Sequence, residues 1–390
     1  MRRRIAIGVG CLVVAAISCD DSALRRRVQD CTPDADERAS THPQAAELDA
    51  LLAQAVRGGL PGALMAVQEG DRHWYGAAGV PDLAQPERVF ESCHITPIKS
   101  ISKSFVAVRT LQLVQEGQLA LDAPLSSLLP GEVLSGLPNV ERITVRHLLG
   151  HRSGLRHYPE VLGYVTDFLN QPTHAQSRAD ALDAVRGSDP YFAPGAGFHY
   201  SNTNTLLLQA IVEQLTGDTL ERALQAAIFE PLGLTRTHLH QDQPLSDHVP
   251  MGYMDLYGNG DAHRVDTLDD VSTGAGGIES TLGDVVRFSR ALFDDEALLD
   301  RAMLDELTTL TEVDEARWGY SRSGLGVQQW QTALGPMFGH TGEDTGYKAY
   351  WHYAPQRKLT WVLLLNANYG RFAERARVLR EHTLQLLATP

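Results

Sequence analysis

Lysine is almost missing from this chain. Only four of its 34 basic residues are lysine, at Lys99, Lys103, Lys348 and Lys358, and the rest are arginine. A guanidinium keeps its proton at any ordinary pH, whereas an amine desolvated in a cleft can lose its own and then take one from a hydroxyl. A lysine beside a hydroxyl is therefore the residue to explain. Positive charge is short as well: the formal net charge is −14 and the body carries no basic cluster, which argues against a nucleic-acid groove or a generally basic membrane-binding face. Internal repeats and low-complexity body segments are absent. The 390 residues, 43% of them hydrophobic, suffice for one large two-lobed domain or two ordinary ones.

The only long apolar run, Ile5 to Ile17, follows Arg2-Arg3-Arg4 and precedes Ser18-Cys19-Asp20-Asp21. A transmembrane helix needs about 20 apolar residues, so the run reads as a secretory signal over residues 1–18. Ala16-Ile17-Ser18-Cys19 resembles a bacterial lipobox, with alanine where leucine is usual, and makes Cys19 the expected lipidation site; simple cleavage and an uncleaved anchor are the alternatives. Residues 19–44 are polar and charged and read as a flexible tether. Of the four cysteines, Cys11 leaves with the signal and Cys19 takes the lipid. Cys31 and Cys93 are left, either to pair in an oxidising compartment or to stay as unrelated thiols.

Along the body, residues 45–388, Ala45 to Arg57 has helical periodicity and ends at Gly58-Gly59. Gly62–Gln68 and His73–Ala78 read as a hairpin. A helix is expected from about Ser100 to Glu116. The middle, about 121–273, is a run of helical stretches and loops. Thr281 looks like a helix cap, with Asp284 reaching back to it. Strand signals return at Gly324–Trp330, Gly346–Tyr353 and Leu359–Asn366, and Phe372–Leu387 closes the body as a helix. This order predicts an α/β chain of the α+β type: an antiparallel sheet built from both ends, flanked by the terminal helices, with a helical lobe inserted.

Three short motifs then occur in sequence. Ser100-Ile101-Ser102-Lys103 places a hydroxyl and an amine one helical turn apart. Tyr200-Ser201-Asn202 opens a helix, and His340-Thr341-Gly342 sits at a strand edge. In this order they resemble the active site of the serine β-lactamase and penicillin-binding protein superfamily, most closely its D-alanyl-D-alanine carboxypeptidase, esterase and class C-like branch. Flanking text, including Gly117 to Asp122 and Ile143 to Leu155, extends the resemblance over about Leu48 to Leu386.

The resemblance implies a β-lactamase-like fold and a serine nucleophile, Ser100, activated by Lys103. Tyr200 relays the proton to the leaving group, Asn202 holds a substrate amide or the lysine, and the backbone amides of Ser100 and Glu343 bind the oxyanion. No metal or other cofactor is required. His147 with His151, and His238-Leu239-His240 with Asp242, have a metal-ligand look but fall where the family has structural loops. Gly276-Gly277 reads as a close backbone approach near the cleft.

Two departures bear on substrate. His340 stands where many β-lactam-active relatives carry lysine, and Glu343 replaces a small residue. Both remove positive charge from the place where a carboxylate would dock, which disfavours carboxylate-bearing substrates. The expectation is a cell-envelope lipoprotein that hydrolyses ester or amide bonds of small molecules or peptides through an acyl-enzyme. A D-alanyl-D-alanine carboxypeptidase or β-lactamase is the runner-up, and a non-catalytic cell-wall peptide-binding lipoprotein the alternative of another class. The oligomeric state is not legible in the sequence.

Overall fold

The computed structural model describes residues 30–170, 177–239, 249–265 and 273–389. The signal-like segment, Cys11, Cys19, His240 and Asp242 lie outside them.

Helix α1, Ala35–Arg38, and helix α2, Ala45–Arg57, lead into strands β1, Gly62–Glu69, and β2, Arg72–Gly79. A 3₁₀ turn at Lys99–Ile101 runs into α3, Ser102–Gln115. The middle contributes α4, Asn202–Thr216, and α5, Leu282–Phe293. Six strands follow: β3 (Thr311–Glu312), β4 (Arg322–Ser323), β5 (Gln328–Thr332), β6 (Gly335–Asp344), β7 (Tyr347–Ala354) and β8 (Leu359–Leu365). Helix α6, Gly370–Ala388, ends the body. The strands form one eight-stranded antiparallel sheet in the order β2-β1-β8-β7-β6-β5-β4-β3. The two ends of the body pair with each other one strand in from the β2 edge, with Ala63 opposite Leu365 and Glu69 opposite Leu359.

Both faces of this sheet are covered, which is why β1 is apolar at nearly every position instead of alternating. Leu48 and Leu52 of α2 and Phe372 and Leu379 of α6 pack with Met65, Val67, Trp361 and Leu363 on one face. Leu64, Ala66, Ala349, Trp351, Val362 and Leu364 point the other way, toward α3, α5 and the helical lobe. The architecture is the expected mixed one, an antiparallel sheet with helices, and no described helix is long and apolar enough to cross a membrane.

The tether expectation needs correction from Asp30 onward. Residues 30–44 pack on the body: Cys31 is disulfide-bonded to Cys93, Arg236 pairs with Glu37 at 2.9 Å and with Asp34 at 3.3 Å, and Glu37 and His42 are buried. Composition alone made this stretch look unable to fold; a covalent link and arginines contributed from far along the chain hold it. The capping pair at α5 also differs. Thr281 accepts from the Asp284 amide at 3.3 Å, but the Asp284 carboxylate turns instead to the Thr237 hydroxyl at 2.8 Å and the Arg287 guanidinium at 2.6 Å.

Candidate active site

Ser100 lies in the 3₁₀ turn ahead of α3, two residues before the first residue of the α-helix proper. Its predecessor Lys99 has a left-handed backbone, φ +50°, a conformation that side chains other than glycine rarely take and that here turns the chain sharply into the helix. Two neighbouring hydroxyls hold this turn from both sides. Ser102 Oγ accepts from the Ile278 amide at 3.0 Å, and Ser104 Oγ donates to the Gly326 carbonyl at 2.7 Å.

Lys103 is 3% exposed, and its Nζ lies 2.9 Å from Ser100 Oγ and 2.5 Å from the Ala275 carbonyl. The same nitrogen sits 5.1 Å from the centroid of the Tyr200 ring. The Tyr200 hydroxyl is buried and makes no hydrogen bond of good geometry. Burial pushes its ionisation well above the ordinary phenol value, with Ser100 the group that pulls it back. Tyr200 is therefore a protonated phenol facing the nucleophile, with its hydrogen-bonding capacity unspent.

Two histidines fix Tyr200 from behind. His151 Nδ1 accepts from the Ser201 amide at 3.2 Å and His157 Nδ1 from the Asn202 amide at 3.0 Å, at the start of α4 where backbone donors have no intrahelical acceptor. Burial first, and Lys103 second, lower both histidines, His157 to about 3, so both rings stay neutral acceptors. The residues with a metal-ligand look thus have structural work. His147 closes a reciprocal cap with Thr144, His151 supports Ser201, and His238 bonds Glu279 at 2.8 Å. Asn202 lines the cleft with a buried, unpartnered Oδ1.

The third motif lies inside β6. His340 is buried and held neutral, its pKa lowered to about 3 by burial and then by Lys103. Thr341 donates from both its amide (3.2 Å) and its hydroxyl (3.4 Å) to Gln328 Oε1. That amide points away from β7, so alternation sends the Glu343 amide the same way, toward the nucleophile turn. A Cβ on Gly342 would overlap the Ile98 carbonyl, so only glycine lets β6 lie this close to the turn that carries Ser100. Gly276 needs no such allowance, since its Cβ would meet the Lys99 backbone at 3.9 Å. The tight glycine of that loop is Gly274, where a Cβ would come within 2.7 Å of Val106.

The reading of Glu343 as uncompensated negative charge is corrected by the register. Glu343 stands opposite Lys348 on β7, and the two side chains form an ion pair. Lys348 is raised despite its burial, by Tyr350 and Glu343. On the other face of β6, Asp344 pairs with Lys99 at 3.1 Å. Three of the four lysines therefore cluster at this cleft, and their scarcity was the signal in the sequence that could have located Lys99 and Lys348 as well as Lys103.

Ser100, Tyr200, Asn202, His340, Thr341 and Glu343 line one cleft of about 530 Å³ between the sheet and the helical lobe. Sequence reasoning missed its far lip, formed by Glu160, Arg317, Trp318 and Tyr320.

These features define a serine hydrolase of β-lactamase fold. The Beta-lactamase family matches residues 48–384, and the chain belongs to that family. It is 28% identical over 365 residues to Esterase EstB of Burkholderia gladioli, a match covering 83% of this chain and 91% of that protein. A penicillin-binding protein of Bacillus subtilis is 29% identical over 251 residues, 60% of this chain, and the match spans about half, 52%, of that relative's length. Among solved structures, a D-stereospecific amidohydrolase from Streptomyces superposes with a TM-score of 0.75 at 28% identity, over 87% of this chain and 98% of that one.

Proposed function

We propose that the protein cleaves ester or amide bonds through an acyl-enzyme on Ser100. Ser100 Oγ attacks the carbonyl carbon while its proton passes to Lys103 Nζ, and the developing oxyanion is met by the amides of Ser100 and Glu343. Tyr200 gives its hydroxyl proton to the departing oxygen or nitrogen as the C–O or C–N bond breaks, and recovers a proton from Lys103. Water then attacks the acyl-enzyme along the reverse path and frees the acid. The observation that carries this reading is the 2.9 Å contact of buried Lys103 with Ser100 beside a phenol that has no other bond to make.

The reading extends to location: the signal-like run and Cys19 support export and a lipid anchor in a bacterial cell envelope. Its partners are then a small-molecule or peptide substrate and the membrane that holds the lipid. A turnover panel of a nitrophenyl ester, a D-Ala-D-Ala peptide and nitrocefin, run beside fluorophosphonate labelling, tests the function. Ester turnover with a label on Ser100 supports it. Preference for the peptide would make the protein a carboxypeptidase, and binding without label or turnover would make it a cell-wall peptide binder.

A further inference from the structure

Cationic charge on the cleft walls is largely spent within the protein. Lys99 is paired with Asp344 and Lys348 with Glu343. Gln328, a neutral residue, occupies the backbone and hydroxyl donors of Thr341. Arg317 is different. It lines the cleft, is exposed, and no carboxylate lies within ion-pairing distance of it among the described residues.

Its guanidinium is nevertheless placed. It lies 4.8 Å from the Trp318 ring, and Nη2 is 2.9 Å from His199 Nε2. His199 Nδ1 is 3.0 Å from the Tyr200 carbonyl, which can only accept, so the ring proton is on Nδ1 and Nε2 accepts from arginine. The ring is stacked on Tyr191, with centroids 3.7 Å apart, and burial lowers its pKa, so it remains a neutral acceptor. One of five guanidinium donors is used in this way. The nearby carboxylate, Glu160, accepts from the Tyr191 hydroxyl and approaches His199 at 3.7 Å.

Arg317 also lies on a definite side of the reaction. Tyr200 protonates the leaving group, and Arg317 is tied to its surroundings: the Trp318 ring stands 6.4 Å from the Tyr200 ring, and His199, which accepts from Arg317, is bonded to the Tyr200 carbonyl. Resting on the proposed hydrolase chemistry, we infer that Arg317 recognises an anionic group, a carboxylate above all, on the leaving group of the substrate. The substrate class is thereby an ester or amide whose released alcohol or amine carries negative charge against an aromatic wall. His199 is the positioning residue for that contact. Carboxylate recognition, missing from the His340 position, is supplied from Arg317 in the same cleft.

The test uses 3-acetoxybenzoate and its methyl ester, followed by release of the acetyl group from the phenol oxygen, so that the phenol leaving group is charged in one and neutral in the other. Arg317→Gln should lower kcat/KM for the charged ester at least fivefold more than for the neutral one, chiefly through KM; Arg317→Lys should restore part of the difference and Arg317→Glu should widen it. Equal losses on both esters would overturn the assignment. Equilibrium binding of 3-hydroxybenzoate and its methyl ester to the Ser100→Ala protein makes the same comparison without turnover. If Ser100 takes no fluorophosphonate label and neither ester is cleaved, the hydrolase reading has failed. The Arg317 contact then stands or falls on whether Arg317→Gln abolishes the preference for the charged ligand.

Discussion

At the scale of single residues, the site is a set of buried polar groups kept in defined protonation states. Tyr200 is the clearest case, because a buried hydroxyl without a partner costs stability and is retained for another reason. Tyr200→Phe should therefore leave the melting temperature unchanged or raised while lowering kcat about 100-fold or more. A variant that melts lower and keeps its activity would make the hydroxyl structural. The buried histidines give a second expectation. Unfolded imidazoles take up protons near pH 6.5, whereas His157 and His340 in the fold do so only near 3. The unfolded state binds more protons in that window, so stability is intact above pH 6.5 and falls as pH drops, by up to ~1.4 kcal/mol per pH unit for each histidine. Urea titrations between pH 7.5 and 4.5 should show this slope, and His340→Asn should reduce it by about one proton. An unchanged slope would contradict the burial argument.

At the scale of elements, helices and hairpins with clear periodicity were legible. The helix Ala45–Arg57 lies where the pattern predicts, and the hairpin differs by a residue at its ends. The extent of strand β6 was not legible, although the third motif it carries was placed at a strand edge. Gly335-Pro336, Gly339 and Gly342 interrupt any alternation, and the glycines are there because neighbouring backbone leaves no room for a Cβ at 339 and 342. Register was hidden for the same reason, so the Lys348 partner of Glu343 could not be read. Gly342→Ala tests the close approach. It should cost about 1–3 kcal/mol and lower kcat/KM at least 100-fold by moving β6 off the nucleophile turn, whereas Gly276→Ala should cost little stability. Equal unfolding midpoints for the two variants would show that β6 has room to spare.

At the scale of the whole molecule, the two ends of the body pair as neighbouring strands of one sheet, and residues 30–44 are strapped to the body. The motifs made the family legible over nearly the whole body, but the strap was not, since its ion pairs join residues about 200 apart in sequence. Cys31 to Cys93 closes a loop with a sequence separation of 62, so replacing both by serine should cost about 2–4 kcal/mol. Intact mass after alkylation, with and without reductant, should count the two thiols only once reduced, and free thiols in the unreduced protein would remove the strap. The central claim concerns the same intact protein. Mass spectrometry after brief exposure to a fluorophosphonate or a slow ester should show one covalent adduct, located on the Ser100 peptide. The adduct should vanish in Ser100→Ala and form at least 1,000-fold more slowly in Lys103→Arg, whose guanidinium keeps the charge and cannot accept the proton. Labelling of Lys103→Arg at the wild-type rate, or an adduct on any other residue, would contradict the account.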